Sequence, residues 1–262
     1  MAHSPHLSVE VTDGVGRVVM DRPDRHNAMD PEMAEAIAAA LDELAADDAV
    51  RCLLLTGTGG VYNTGADLSA LEGTRGDTDA IDAIARPLHE SVRTMTRAPK
   101  PVLTGINGVV AGGGLGLALA SDVAVMSADA RFEYAYPRIG LSGDGGITWL
   151  LPRLLGLRRA QQFAFMGEPI DSKEAVDRGL VTEAVSADGF DDRLVTVATE
   201  LADGPTRAYA RIRQLFFEGS DRSLDRHLRH EREYLTGLTV TGDYETGMGS
   251  FFSDEEPAFE GR

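Results

Sequence analysis

Cysteine is almost missing from this chain: Cys52 is the only one in 262 residues, so neither an intrachain disulfide nor a multi-cysteine metal cluster can form. It lies in the apolar run from Val50 to Thr56 and reads as a small core residue. No segment reaches the roughly 18 apolar residues a membrane helix needs. The first residues also lack the basic start and apolar stretch of a secretory signal. A protein of the cytoplasm is the expectation. Basic residues are few, 25 Lys and Arg against 42 Asp and Glu, and the formal charge is −17. Most of the surface therefore repels a polyanion, and nucleic acid is not an expected partner. An anionic small molecule is not excluded, because a few arginines and backbone N–H groups bind phosphate locally.

The common glycine motifs are missing as well. Nothing matches G-x-x-x-x-G-K-[ST], so a P-loop is unsupported, and Gly112-Gly-Gly-Leu-Gly116 does not complete the dinucleotide pattern G-x-G-x-x-G. Gly140-Leu-Ser142-Gly-Asp144 misses the nucleophile elbow, since Asp144 stands where the last glycine belongs.

What is present is an α/β pattern. With 43% hydrophobic residues the chain can bury one large core. Leu7–Val11 and Gly16–Met20 flank the turn signal Asp13-Gly14 and read as a hairpin. Asp30-Pro31 is an N-cap with proline at the first helical position, opening a helix to Ala46. Strands at Arg51–Thr56, Val102–Ile106 and Val123–Ser127 alternate with helices at Asp79–Arg97 and Leu115–Ala120. After about Gly145 helical periodicity dominates, through Trp149–Leu155, Arg159–Met166, Ser172–Arg178, Asp188–Ala202, Pro205–Phe217 and Ser223–Leu235. The division drawn from this is a βαβ-rich core over residues 1–200 and a helical region over 201–262.

Three glycine-rich loops, Thr56–Asp67, Asn107–Gly116 and Gly140–Gly146, each follow a strand or open a helix. Such a turn offers unpaired N–H groups and the positive end of a helix dipole, a setting that favours an oxyanion. Taken singly, each reads first as a tight turn or a place of close strand packing.

Together the loops resemble the enoyl-CoA hydratase/isomerase (crotonase) superfamily. The resemblance runs through Met20-Asp-Arg-Pro-Asp-Arg-His-Asn-Ala-Met29, Leu55–Gly59, Asn63-Thr-Gly-Ala-Asp-Leu68 and Lys100-Pro-Val-Leu-Thr-Gly-Ile-Asn-Gly-Val-Val-Ala-Gly-Gly-Gly114. It continues through Ser121-Asp122, Phe132, Gly140-Leu141, Gly145-Gly146, Leu151–Gly156, Gly179–Val181 and Phe251 to the terminal Phe259-Glu-Gly-Arg262. It implies a crotonase-type spiral of ββα units with a C-terminal helical trimerisation region, assembled as a homotrimer or a dimer of trimers. It further implies an acyl-CoA thioester substrate and an oxyanion hole made by the N–H groups of Ala66 and Gly113. CoA would lie along Asn63, Thr64, Gly65, Ala66, Asp67 and Leu68, with Arg25 and His26 near its nucleotide, although Arg25 also reads as an ordinary solvated charge. No metal and no cofactor beyond coenzyme A itself is expected.

The sequence departs from the hydratases of this family, which place two glutamates on one water. The resemblance puts the first at Gly116 and the second at Arg138, and neither residue can serve as an acid or base. Glu133 is nearby but offset. Asp144 occupies a position where isomerases of the ring-1,2-epoxyphenylacetyl-CoA type carry a carboxylate, and a single base is enough for a 1,3-proton shift. Read locally, Asp144 is instead a helix N-cap. The acyl pocket is expected at His89, Tyr136, Gly116 and Arg138. For His89 a solvated position on a helix is the alternative, and dehalogenases of the superfamily pair a histidine here with an aspartate near Asp144. Tyr134 and Tyr136 read either as pocket walls or as strand aromatics. The enzyme expected is an enoyl-CoA isomerase, with a hydratase, hydrolase or dehalogenase, or a non-catalytic acyl-CoA-binding protein, as alternatives.

Overall fold

A computed structural model describes residues 4–219, 222–253 and 255–262. The chain opens with the expected hairpin, β1 (Leu7–Thr12) and β2 (Val15–Met20), followed by α1 (Pro31–Ala46). Asp30 caps α1 by accepting from the Met33 amide at 2.9 Å. Three successive turns of chain then each supply two strands and a helix or loop. These are β3 (Cys52–Gly57), β4 (Val61–Asn63) and α2 (Thr78–Arg97), then β5 (Val102–Ile106), β6 (Val109–Ala111) and α3 (Gly114–Leu119), then β7 (Val123–Ser127) and β8 (Arg131–Glu133). Helices α4 (Ile147–Leu155) and α5 (Leu157–Met166) follow, then β9 (Ile170–Asp171), α6 (Ser172–Asp177), β10 (Glu183–Val185) and α7 (Phe190–Asp203). Last come α8 (Thr206–Gly219), α9 (Leu224–Leu238) and α10 (Gly242–Ser253).

The first strand of each turn enters a six-stranded sheet of order β1-β2-β3-β5-β7-β10, and the second enters a four-stranded sheet of order β4-β6-β8-β9. Within the large sheet only the β1–β2 pair is antiparallel. This is the ββα spiral. The short strands β4, β6, β8, β9 and β10 have two or three residues each, too few for a period-2 pattern to register in the sequence.

Side chains on β3 alternate between two cores. Leu53 and Leu55 face the larger one with α1 and α2, whereas Cys52 and Leu54 pack with Leu194, Val197 and Ala198 of α7. Burial pushes the Cys52 thiol up to about 12, as expected of an inert core residue. Because α7 covers the back of the sheet, it belongs with the strands, and the division drawn at residue 200 falls inside its last turn. Among the described residues no helix is long and apolar enough to cross a membrane.

Candidate active site

The carboxyl ends of β4, β6 and β8 lie side by side because those strands run parallel; the first two glycine-rich loops run through β4 and β6, and the third follows β8 after a 3-10 turn at Tyr136–Ile139. The first loop is held from below by Asn63 and Asn27. Buried Asn63 donates to the Asn27 carbonyl at 2.6 Å and accepts from the Gly65 amide at 2.7 Å, while Asn27 donates to Val61 O at 2.7 Å and Thr58 O at 3.1 Å. Beyond it Met29 forms a parallel bridge with Ala66 that uses the Gly65 carbonyl and the Asp67 amide. The intervening Ala66 N–H therefore points away from the bridge.

The second loop meets the first at glycines. A Cβ on Gly65, which has φ +89°, would lie 2.8 Å from the Gly113 nitrogen, so only glycine lets the two amide donors come together. Among the described residues neither the Ala66 nor the Gly113 N–H donates to a protein acceptor. Two amides left unpaired at the meeting of two loops are the geometry an oxyanion needs.

The third loop brings Asp144 to this point. A Cβ on Gly113 would lie 3.7 Å from Asp144 Oδ1 and 2.6 Å from Leu88 Cδ2. The Tyr136 hydroxyl donates to Asp144 Oδ1, and His89 Nε2 lies 3.8 Å from Asp144 Oδ2. The two carboxylate oxygens thus have different neighbours, one a buried phenol and the other a half-exposed imidazole. Burial, and then the charge of Asp144, raise the Tyr136 and Tyr134 phenols above their ordinary value, so both stay protonated and act as donors. Tyr134 uses its proton on the Ser142 carbonyl at 2.5 Å, which anchors the same loop.

Several expectations change on this geometry. Asp144 is not a helix cap: the N-cap of α4 is Gly146 and no side chain bonds there. His89 is on the site face of α2 rather than being merely solvated. Tyr136 reaches Asp144 and is a support for that carboxylate more than a pocket wall. Gly116 has no open space in front of its Cα, which is filled by the backbone of Gly145, so it is not the pocket wall expected. Arg138 is exposed and pairs with Glu133 at 3.2 Å, and Glu133 also takes Arg131 at 2.8 Å. Neither Arg138 nor Glu133 bonds to Asp144 or His89.

The expected CoA contacts divide similarly. Asn63 is fully buried and spends its side chain on the loop. Asp67 accepts from Arg22 at 2.8 Å and from the Ser69 amide at 3.0 Å, bonds that hold its carboxyl below the usual range, Ser69 contributing most. Both side chains are structural. Thr64, whose hydroxyl donates to the His26 carbonyl at 3.2 Å, stands with exposed Arg25, His26 and Leu68 at the rim. Arg22, Leu88 and Val92 were not singled out from the sequence. Arg22 sits within the quoted Met20–Met29 motif, while Leu88 and Val92 share the i, i+4 face of α2 with His89's neighbours.

Among the described residues no group of three His, Cys, Asp or Glu is placed to hold a metal. Behind the Asp144 loop a cavity of about 1260 Å³ opens between α2, α4, α8 and α9.

The family model described as Enoyl-CoA hydratase/isomerase matches residues 10–262. The 1,2-epoxyphenylacetyl-CoA isomerase of Escherichia coli (strain K12) is 34% identical over 96% of this chain and 97% of its own. The 4-chlorobenzoyl coenzyme A dehalogenase-2 of an Arthrobacter species is 35% identical over 95% and 91%. Among solved structures, an enoyl-CoA hydratase from Polaromonas sp. JS666 superimposes with a TM-score of 0.90 at 28% identity, covering 97% of this chain and 99% of that one.

Proposed function

The chain belongs to the enoyl-CoA hydratase/isomerase family, and from that premise we propose that it is an enoyl-CoA isomerase in which Asp144 is both base and acid. The observation that carries this reading is the position of one carboxylate, Asp144, beside Gly113, with no second carboxylate bonded to it. The thioester oxygen accepts from the Ala66 and Gly113 amides. Asp144 takes the proton from C2 of a 3-enoyl thioester, the C–H pair moves into a dienolate, and negative charge collects on the thioester oxygen. Each amide donor contributes about 3 kcal/mol at that stage. The carboxylic acid then returns its proton at C4, leaving the 2-enoyl ester. One proton moves and no electron leaves, so the reaction needs no metal and no redox group.

Tyr136 holds Oδ1, which leaves Oδ2 as the oxygen that carries the proton. Exposed Arg25 and His26 at the rim are assigned to the CoA nucleotide and its phosphates. The family glutamates are read as replaced by Gly116 and Arg138, and this makes hydration a poor fit.

The purified protein is expected to convert a 3-enoyl-CoA into its 2-enoyl isomer, followed at the conjugated thioester band, and Asp144→Asn is expected to lower kcat by about 10²–10⁴. Turnover undiminished in Asp144→Asn would sink the assignment. The 3.8 Å approach of His89 to Asp144 favours a second reading, hydrolysis or dehalogenation through water. Labelled oxygen from water appearing in the product selects that reading. Tight acyl-CoA binding without turnover over a broad panel selects a binding protein.

A further inference from the structure

The surroundings of Asp144 are closed on one side and open on the other. On the Oδ1 side stands Tyr136, 9% exposed, whose hydroxyl donates to that oxygen. Its ring is tilted against Tyr134 at 5.6 Å between centroids, and Tyr134 in turn packs edge-on against Phe163 at 5.8 Å. Neither phenol can carry a proton away. Burial, and then the charge of Asp144, raise both above their ordinary value, so each keeps its proton. That of Tyr134 is already spent on the Ser142 carbonyl.

On the Oδ2 side the neighbour is His89, whose side chain is 48% exposed against 31% for Asp144. The 3.8 Å between Nε2 and Oδ2 is longer than a hydrogen bond, and rotation of the half-exposed imidazole or one bridging water closes it. The charged residues nearest to His89 on α2 are paired with each other, Arg86 with Asp82 and Arg93 with Glu90. Among the described residues Asp144 is the only ionisable side chain that His89 meets. Imidazole both takes and gives protons through its ring nitrogens. His89 therefore stands between the free carboxylate oxygen and solvent, where the two tyrosines offer no path.

We propose that His89 is a proton relay between Asp144 and solvent, so that the hydrogen delivered at C4 comes from water and not from C2 of the same substrate molecule. The inference rests on the isomerase reading above and deepens it by naming the path of the proton. The C2–H bond breaks with its electron pair entering the dienolate, and an O–H bond forms on Oδ2. That bond breaks in turn as Nε2 takes the proton, and the half-exposed imidazolium exchanges its N–H protons with water. Nε2 then returns a solvent-derived proton to Oδ2, which loses it as the electron pair of the dienolate forms the C4–H bond. One proton leaves, one arrives, and no electron is exchanged with an outside group. His89 acts through Asp144 and does not touch the carbon chain.

The test runs isomerisation of a 3-enoyl-CoA, with ordinary hydrogen at C2, in heavy water and stops it at low conversion. Deuterium at C4 of the 2-enoyl product is read by nuclear magnetic resonance and mass spectrometry. The fraction is taken per product molecule, so a change in rate does not enter it. The wild type is expected to place mostly deuterium at C4, and His89→Gln is expected to lower that fraction about threefold or more in favour of hydrogen carried over from C2. Imidazole added to His89→Ala is expected to restore the deuterium. Three results overturn the relay and leave the isomerase reading standing: hydrogen retained at C4 by the wild type, a deuterium fraction that His89→Gln leaves unchanged, or a loss in His89→Ala that imidazole does not reverse. Absence of any 2-enoyl product from the wild type overturns the isomerase reading and this inference with it.

Discussion

At Gly116 a Cβ would run into the carbonyl oxygen of Gly145, and the two backbones touch where a hydratase of this family is read as carrying its first glutamate. The missing side chain at Gly116 is therefore a structural feature, since it lets the loop of residues 143–146 approach and deliver Asp144. Gly116→Glu is expected to yield no hydratase. It should displace the Asp144 loop, abolish isomerisation, and lower stability by about 1–3 kcal/mol or more through overpacking. Thermal unfolding together with assays of hydration and isomerisation checks this, and hydration gained in a protein of unchanged stability refutes it. In the sequence Gly116 reads as a missing acid, and its contact with Gly145 is not legible there because the partner lies in another loop. The same limit applied to Tyr136, whose hydroxyl finds Asp144 across a turn, and to Asn63, which looked like a ligand contact but is spent on Asn27 and Gly65. The meeting of the Ala66 and Gly113 loops was readable because it depends only on the right glycines and turns around them.

Elements place these residues through a few shared clamps, of which Arg22 is the central one. Its guanidinium bonds Asp67 at 2.8 Å and the Ala28 carbonyl at 2.8 Å, and meets Asp30, the cap of α1, at 3.2 Å. The start of α1 and the oxyanion loop are thus fixed to one side chain. Arg22→Gln leaves two carboxylates facing each other and is expected to cost about 1.5–3 kcal/mol at neutral pH. The sign with pH follows from Asp67. Its folded pKa lies below the unfolded value, so its contribution is complete above about pH 4 and is lost as pH falls through the folded value. The stability gap between wild type and variant should stay constant from pH 7 to about 5 and narrow below 4, as read by urea unfolding. A gap that widens on acidification contradicts the clamp. Long elements such as α1, α2, β3, β5 and β7 were visible through capping and periodicity. The second strand of each ββα turn was not, because three residues of β4, β6 or β8 gain their identity only from the neighbouring strand.

The whole molecule ends with helices that cover little of their own apolar surface. The C-terminal Phe259–Arg262 segment is well anchored, with Arg51 donating to the Phe259 carbonyl at 2.8 Å across a sequence separation of 208 and Asp243 accepting the Glu260 amide at 2.8 Å. That pairing was unreadable in sequence for the same reason of distance, although the tail itself stood out. Between these anchors, Phe216, Leu224, Leu235, Val240, Phe251 and Phe252 are each at least 70% exposed. Monomeric proteins rarely leave that much large apolar surface open, and none of these residues lines the cavity behind the Asp144 loop. We propose that a second and third copy of the chain cover them. Contacts repeated around a closed symmetry axis would stop the assembly at a fixed number of copies rather than let it grow. Sedimentation equilibrium at micromolar concentration is expected to give three or six times the chain mass, and Leu235→Asp with Phe252→Asp is expected to lower that number. A monomer in the wild type contradicts the assembly. A double variant that stays assembled places the contact elsewhere and contradicts this patch. Substitution with aspartate adds charge to exposed positions only, so a change in mass without a change in the far-ultraviolet helical signal separates lost association from lost folding.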